Sequence, residues 1–222
     1  MDLVFVLYFS YKDAIYNVNI ATIVILGISM VEAINHWTIS LIKLCAIKII
    51  FVLIGGVTVT GGEPLLQVKF LIELFTRLKE QNIHTCIDTS GMVTLTDDIK
   101  QLLSLTDLVL LDIKHIDTEK CKNLVGFSNK LELEFANYLS NNQIPIWIRQ
   151  VLIPGYTDDE QDLLKLKDFV SHLKTVQKVE LLPYHDMGKF KWKKLGLEYA
   201  LENVRDANSD DIKRAKKILE II

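Results

Sequence analysis

The sequence predicts an α/β fold, and three observations carry the prediction. Over residues 55–222, short β-branched runs alternate with amphipathic stretches at helical spacing. Polar residues crowd the carboxyl ends of the runs. A break in composition sets the domain's start: residues 1–54 hold six charges (Asp2, Lys12, Asp13, Glu32, Lys43, Lys48), no proline and one glycine, and the other 168 residues hold the remaining 47 charges. Two blocks are expected, an atypical apolar segment over 1–54 and a folded domain over 55–222. Strict alternation implies parallel strands joined by helical crossovers, as a barrel or a doubly wound sheet.

The elements follow in order. Residues 57–60 read as a strand, and Gly61-Gly62 as a tight turn into a helix that begins at Pro64, where a missing N–H costs nothing. Leu66, Phe70, Leu71, Leu74, Phe75 and Leu78 recur at helical spacing and mark that helix's buried stripe. A strand over 83–88 and a helix over 97–105 come next. Residues 108–113 are almost continuously apolar, as in a strand covered on both faces. Helices over 118–124 and 129–140, a strand over 145–152, a helix over 159–173, a strand over 178–182 and a final helix over 209–219 complete the pattern.

Composition excludes several function classes. A formal net charge of −3, with basic residues spread along the chain, leaves no electrostatic footprint for nucleic acid. Three cysteines, Cys45, Cys86 and Cys121, are too far apart in sequence for a compact metal-ligand motif and too few for a disulfide framework, so a reducing cytoplasm is expected. Residues 14–31 are uncharged, but Tyr16, Asn17, Asn19, Thr22 and Ser29 interrupt them, and no membrane span is expected. Nor does the acidic start resemble a secretory signal.

In α/β folds chemistry gathers where strands end at their carboxyl edge. Here those edges carry Gly61-Gly62-Glu63-Pro64, Asp88-Thr89, Asp112-Ile113-Lys114, Arg149 and Pro183-Tyr184-His185. Each has a plain structural reading: a strand-to-helix turn, an ion pair between Asp112 and Lys114 two residues apart on one face, a loop histidine. Each also has a functional one. Glycines let a ligand approach the backbone, Glu63 supplies an acceptor, and a buried ion pair suits a ligand that itself bears an ammonium and a carboxylate.

The words Val57-Thr58-Val59-Thr60-Gly61-Gly62-Glu63-Pro64, His84-Thr85-Cys86-Ile87-Asp88-Thr89-Ser90-Gly91, Leu111-Asp112-Ile113-Lys114, Trp147-Ile148-Arg149, Val151-Leu152-Ile153-Pro154-Gly155-Tyr156 and Leu181-Leu182-Pro183-Tyr184-His185-Asp186-Met187-Gly188, with Lys191-Trp192 and Leu195-Gly196 beyond, carry a family resemblance. Together they resemble the glycyl radical enzyme activases of the radical S-adenosylmethionine family, in particular those acting on pyruvate formate-lyase. The resemblance implies a partial (β/α)6 barrel and an oxidoreductase that uses S-adenosyl-L-methionine and a [4Fe-4S] cluster. It also implies a flavodoxin or ferredoxin as electron donor and pyruvate formate-lyase as the partner that receives the glycyl radical. By motif, the backbone at Gly62 holds the methionyl amine, Asp112 and Lys114 the amine and carboxylate, with Ile113 between them, and His185 the nucleoside side. Arg149 is placed near the methionyl carboxylate or the incoming peptide.

One departure stands out. The family holds its cluster on three cysteines spaced CxxxCxxC just upstream of the glycine motif, because one short loop must wrap three corners of a cubane. Only Cys45 lies upstream here. Yet when the third base of each codon for residues 12–22 is joined to the first two of the next, the permitted translation includes Gly-Cys-x-Leu-Gln-Cys-x-Tyr-Cys-His-Asn. Residues 1–54 therefore read as an out-of-frame translation of the cluster segment, with the frame restored before Gly55. On this reading the strand over 57–60 loses its neighbour and presents an unpaired edge, unless the apolar start of the chain replaces it.

Overall fold

The computed structural model describes residues 4–10, 20–25 and 56–221. The apolar, β-prone start forms two strands, β1 (Val4–Ser10) and β2 (Ile20–Ile25), paired antiparallel with Phe5 opposite Ile25. β1 also pairs antiparallel with β3 (Gly56–Thr60), Val4 opposite Thr60. The edge of β3 is thus covered, and the expectation of an unpaired edge is corrected: a β-branched run supplies backbone partners whatever its origin. Of the uncharged stretch 14–31, residues 20–25 are strand, and the rest lies outside the described residues, as does most of the segment read as out of frame. Among the described residues no helix is long and apolar enough to cross a membrane.

The chain divides into two compact units, Met1–Leu110 and Leu111–Ile222. In the first, β3 turns through Gly61 and Gly62 into a 3-10 turn (Pro64–Gln67), which leads into α1 (Val68–Glu80) and then β4 (His84–Thr89), parallel to β3 with Val57 opposite Thr85. α2 (Asp97–Ser104) follows, its first turn capped by the Thr96 hydroxyl. The core here is built from Val59, Leu71, Phe75, Ile87 and Leu102, all fully buried. Of the expected stripe, Leu71, Leu74, Phe75 and Leu78 are buried and Phe70 is half-buried, and its first position is corrected: Leu65 is 3% exposed and Leu66 68%. The 3-10 turn advances three residues per turn rather than 3.6, which shifts the apolar face by one residue before α1 begins.

β5 (Leu108–Asp112) lies across the division. Val109 and Leu111 are fully buried and Leu108, Leu110 and Asp112 only half-buried, so the strand is covered completely on one face and not on both as its composition suggested. The second unit continues with α3 (Thr118–Val125), α4 (Lys130–Asn141), β6 (Ile146–Leu152), α5 (Glu160–Ser171) and β7 (Val176–Pro183). β6 and β7 run parallel, Arg149 opposite Glu180. Along β6 the period of two places Ile146, Ile148, Gln150 and Leu152 in the core and Trp147, Arg149 and Val151 on the opposite, half-buried face. A 3-10 turn (Asp186–Gly188) and a short helix α6 (Lys189–Lys194), absent from the expected pattern, precede α7 (Ser209–Leu219), whose Asn208 and Asp211 form a capping box.

Candidate cofactor-binding site

In the first unit the chemistry lies where β3 and β4 end. Gly61 and Gly62 adopt φ of +102° and +52°, the left-handed half of conformational space that favours glycine. Gly62 is exposed, and a Cβ built on it meets nothing within 4 Å, so its backbone is open to a ligand. Glu63, expected as an acceptor for a ligand, has its carboxylate engaged internally. Oε1 accepts from the Thr89 hydroxyl at 2.6 Å and the Leu65 N–H at 3.2 Å, and Oε2 from the Ser90 hydroxyl at 2.6 Å and the Ser90 N–H at 3.1 Å. Glu63 is therefore the strut that ties the glycine turn to the end of β4. The Thr60 hydroxyl donates to Asp88 Oδ2 at 3.1 Å, a second tie between the same strand ends.

In the second unit three of the singled-out side chains meet. Asp112 Oδ1 accepts from Arg149 Nε at 2.9 Å and lies 2.8 Å from Arg149 Nη2, and Asp112 Oδ2 accepts from Lys114 Nζ at 2.9 Å. These side chains are 16–31% exposed, so the charges are partly desolvated yet reachable. Beside them opens a cavity of about 190 Å³ whose walls include Ile113, Leu124, Val125, Val151 and Leu201. Ile113 itself is fully buried, and its N–H donates to the Arg149 carbonyl at 2.9 Å, extending the β5–β6 ladder beyond the strand. A half-dry carboxylate flanked by an ammonium and a guanidinium can trade partners with a zwitterion, because each charge already has its counter-charge in place.

His185 sits on a rigid support rather than in that cluster. Tyr184 N–H donates to the Leu152 carbonyl at 3.1 Å, Ala207 N–H to the Tyr184 carbonyl at 3.0 Å, and Asp186 N–H to Asp206 Oδ1 at 2.9 Å. Buried Tyr184 and half-buried Tyr199 share a hydroxyl hydrogen bond of 2.8 Å. The imidazole of His185, in extended backbone between these anchors, is exposed.

Sequence reasoning missed the polar layer beneath Lys114. His115, 1% exposed, accepts the Asp117 N–H on Nδ1 at 2.9 Å, which leaves Nε2 protonated to face the Tyr156 carbonyl at 3.1 Å. Asn129 Nδ2 donates to the carbonyls of His115 and Ile116. Glu132, in the first turn of α4, is fully buried while its neighbour Leu131 is 37% exposed, the reverse of what polarity alone suggests. Burial pushes the Glu132 carboxyl up to about 8. The only advance signal is Asn129 placed as a helix N-cap.

The described cysteines do not suit an iron-sulfur cluster. Cys86 is 4% exposed within β4 and Cys121 fully buried in α3. Burial, and secondarily the nearby Glu132, pushes the Cys121 thiol up to about 11, whereas a cluster needs thiolates. Among the described residues no group of three or more His, Cys, Asp or Glu side chains is placed to hold a metal ion. Cys45 lies outside the described residues.

Residues 45–166 match the Radical SAM superfamily profile. The chain belongs to that superfamily. As a radical SAM protein it is 48% identical over 170 residues to the pyruvate formate-lyase-activating enzyme of Streptococcus mutans, a match covering 74% of this chain and 65% of the relative. It is 51% identical over 166 residues to that of Staphylococcus epidermidis, covering 72% and 66%. The chain thus spans just under two thirds of these curated relatives. A crystal structure of a domain of pyruvate-formate lyase-activating enzyme from Bacteroides vulgatus superposes with a TM-score of 0.62 at 26% identity, covering 75% of this chain and 93% of that one. The Streptococcus suis SuiB structure shares the radical SAM fold at a TM-score of 0.55 and 17% identity. The expected α/β class is borne out in these terms: five strands, β3 to β7, alternate with helices, and the β3–β4 and β6–β7 ladders are parallel.

Proposed function

We propose that this radical SAM chain is of the lineage that activates pyruvate formate-lyase, and that the edge after β5 takes the amino-acid end of S-adenosyl-L-methionine. The observation that carries the reading is the Asp112–Lys114–Arg149 cluster beside an apolar cavity. Asp112 receives the ammonium, Lys114 the carboxylate, and Ile113 walls the cavity beside them. By motif alone, the open Gly62 backbone of the first unit is assigned to a methionyl amine and exposed His185 of the second to the nucleoside. Pyruvate formate-lyase as partner, a flavodoxin or ferredoxin as donor and a reducing cytoplasm belong to the same reading.

In this family S-adenosyl-L-methionine, when bound at a reduced cluster, supplies the 5'-deoxyadenosyl radical. These 222 residues contain no CxxxCxxC loop, so no radical step is assigned to them. As it stands the chain binds the cofactor weakly and does not cleave it. Residues 1–54 are an out-of-frame rendering of the cluster segment, supported by the composition break and the codon reading.

Calorimetric titration of S-adenosyl-L-methionine tests the binding claim. Binding is expected, and Asp112→Asn is expected to weaken it about tenfold or more, as loss of a partly desolvated charged partner does. Binding unaffected by Asp112→Asn overturns the assignment. Anaerobic reconstitution with iron and sulfide should yield no cluster absorption in this chain and should yield it once the frame over residues 1–54 is restored. A coding DNA free of any nearby insertion or deletion sinks the frame reading.

A further inference from the structure

Beneath the proposed binding edge, the segment 113–117 has several of its polar backbone groups held. Ile113 N–H reaches the Arg149 carbonyl, Asp117 N–H the His115 ring, and the His115 and Ile116 carbonyls Asn129. The N–H groups of Lys114 and His115 instead face the Glu132 carboxyl, and that of His115 also faces the Cys121 thiol. Glu132 is fully buried, and neither of its oxygens makes a hydrogen bond of regular length and angle. A buried carboxyl without such partners is costly, and nothing in the packing of α4 alone requires one in its first turn.

We propose that Glu132 is a positioning residue for the Asp112–Lys114 clamp: its carboxyl sets the Lys114–His115 peptide from behind, and with it the reach of the Lys114 ammonium toward the ligand's carboxylate. The inference rests on the binding role given above to Lys114. Glu132 is fully buried and does not line the cavity, whose wall includes Asp112, Ile113 and Lys114, so it acts through them. The charged and titratable groups that face it are Asp112 and Lys114 from the segment after β5 and Cys121 from α3; His115 presents only its backbone N–H. Below about pH 8 the carboxyl is neutral. Above it, a buried negative charge stands behind Lys114, competes with Asp112 for the ammonium and repels an incoming carboxylate.

The test compares S-adenosyl-L-methionine affinity of the 222-residue chain with that of Glu132→Gln and Glu132→Ala at about pH 6.5 and about pH 9. The ligand's own amine titrates in this window, so the readout is the ratio of wild type to Glu132→Gln, in which that effect cancels. The two are expected to bind equally at the lower pH, and Glu132→Gln about tenfold tighter at the higher. Glu132→Ala is expected to bind more weakly than Glu132→Gln at both. A ratio that does not change with pH overturns the proposal.

A ligand-free measurement keeps it independent of the binding claim. Amide exchange at Lys114 and His115 should accelerate about tenfold or more in Glu132→Ala and stay unchanged in Glu132→Gln. Unchanged exchange in Glu132→Ala also overturns it. Should wild type fail to bind the cofactor while these amides respond as expected, the binding reading falls and the positioning role stands.

Discussion

Two glutamates show how differently the two units support their strand ends. Glu63, after β3, gathers two hydroxyls and two backbone N–H groups on its carboxylate and so converts a glycine-rich turn into a fixed loop. Glu132, behind the end of β5, is fully buried with no regular hydrogen bond, and its carboxyl is held neutral to about pH 8. The lesson is that a carboxyl's role follows from its donors. With four donors it is a strut whose removal strands polar groups. With none of regular geometry it is a titratable support whose protonation state sets the local field.

The sharpest way to break this comparison is Glu63→Ala. Four donors lose their acceptor, and an unfolding free energy lower by about 3 kcal/mol is expected in urea titrations, since each buried donor left unsatisfied costs about 1–3 kcal/mol and water reaches some of these. A loss under about 1 kcal/mol would show that the strut is dispensable.

Glu132→Gln probes the other side with opposite sign. The folded-state value of about 8 lies above the ordinary 4.5, so between these pH values the folded chain binds more protons than the unfolded one. Wild-type stability therefore falls as pH rises from about 4.5 to about 8 and then levels off. Glutamine removes that slope and should raise stability at pH 8 by about 2 kcal/mol after allowance for relaxation. Melts at two pH values check it, and a parallel pH dependence in both chains contradicts it.

Smaller effects refine the glycine turn. Gly62→Ala meets no steric contact but must hold φ of +52°, so a cost of about 1 kcal/mol is expected from backbone strain alone. Leu66→Ser, at a position 68% exposed, should change stability by less than about 0.5 kcal/mol, in contrast with several kcal/mol for Leu65→Ala at 3% exposure. Comparable losses at both positions would restore the helical register that the sequence suggested.

Much of the site was readable beforehand because strand ends in α/β folds collect ligands, and Asp112 and Lys114 stand at or just past the end of β5, whereas Arg149 lies midway along β6. Their mutual contacts follow from the pairing of neighbouring strands. His185 was legible only through its motif, since an exposed loop histidine has no local signature. Glu63 was misjudged because its partners Thr89 and Ser90 lie 26 and 27 residues away. Glu132 was invisible because a charged residue beside a leucine in a first helical turn reads as solvent-facing.

By itself the sequence determined the alternation of strand and helix, the positions of the chain's turns and the absence of a three-cysteine loop, because periodicity, glycine conformation and ligand spacing are local properties. Tertiary structure alone decided which carboxyl is a strut, which is neutral, and that a strand from the atypical segment covers the edge of β3. Those outcomes depend on donors, burial and backbone partners brought from distant parts of the chain, which no window of sequence contains.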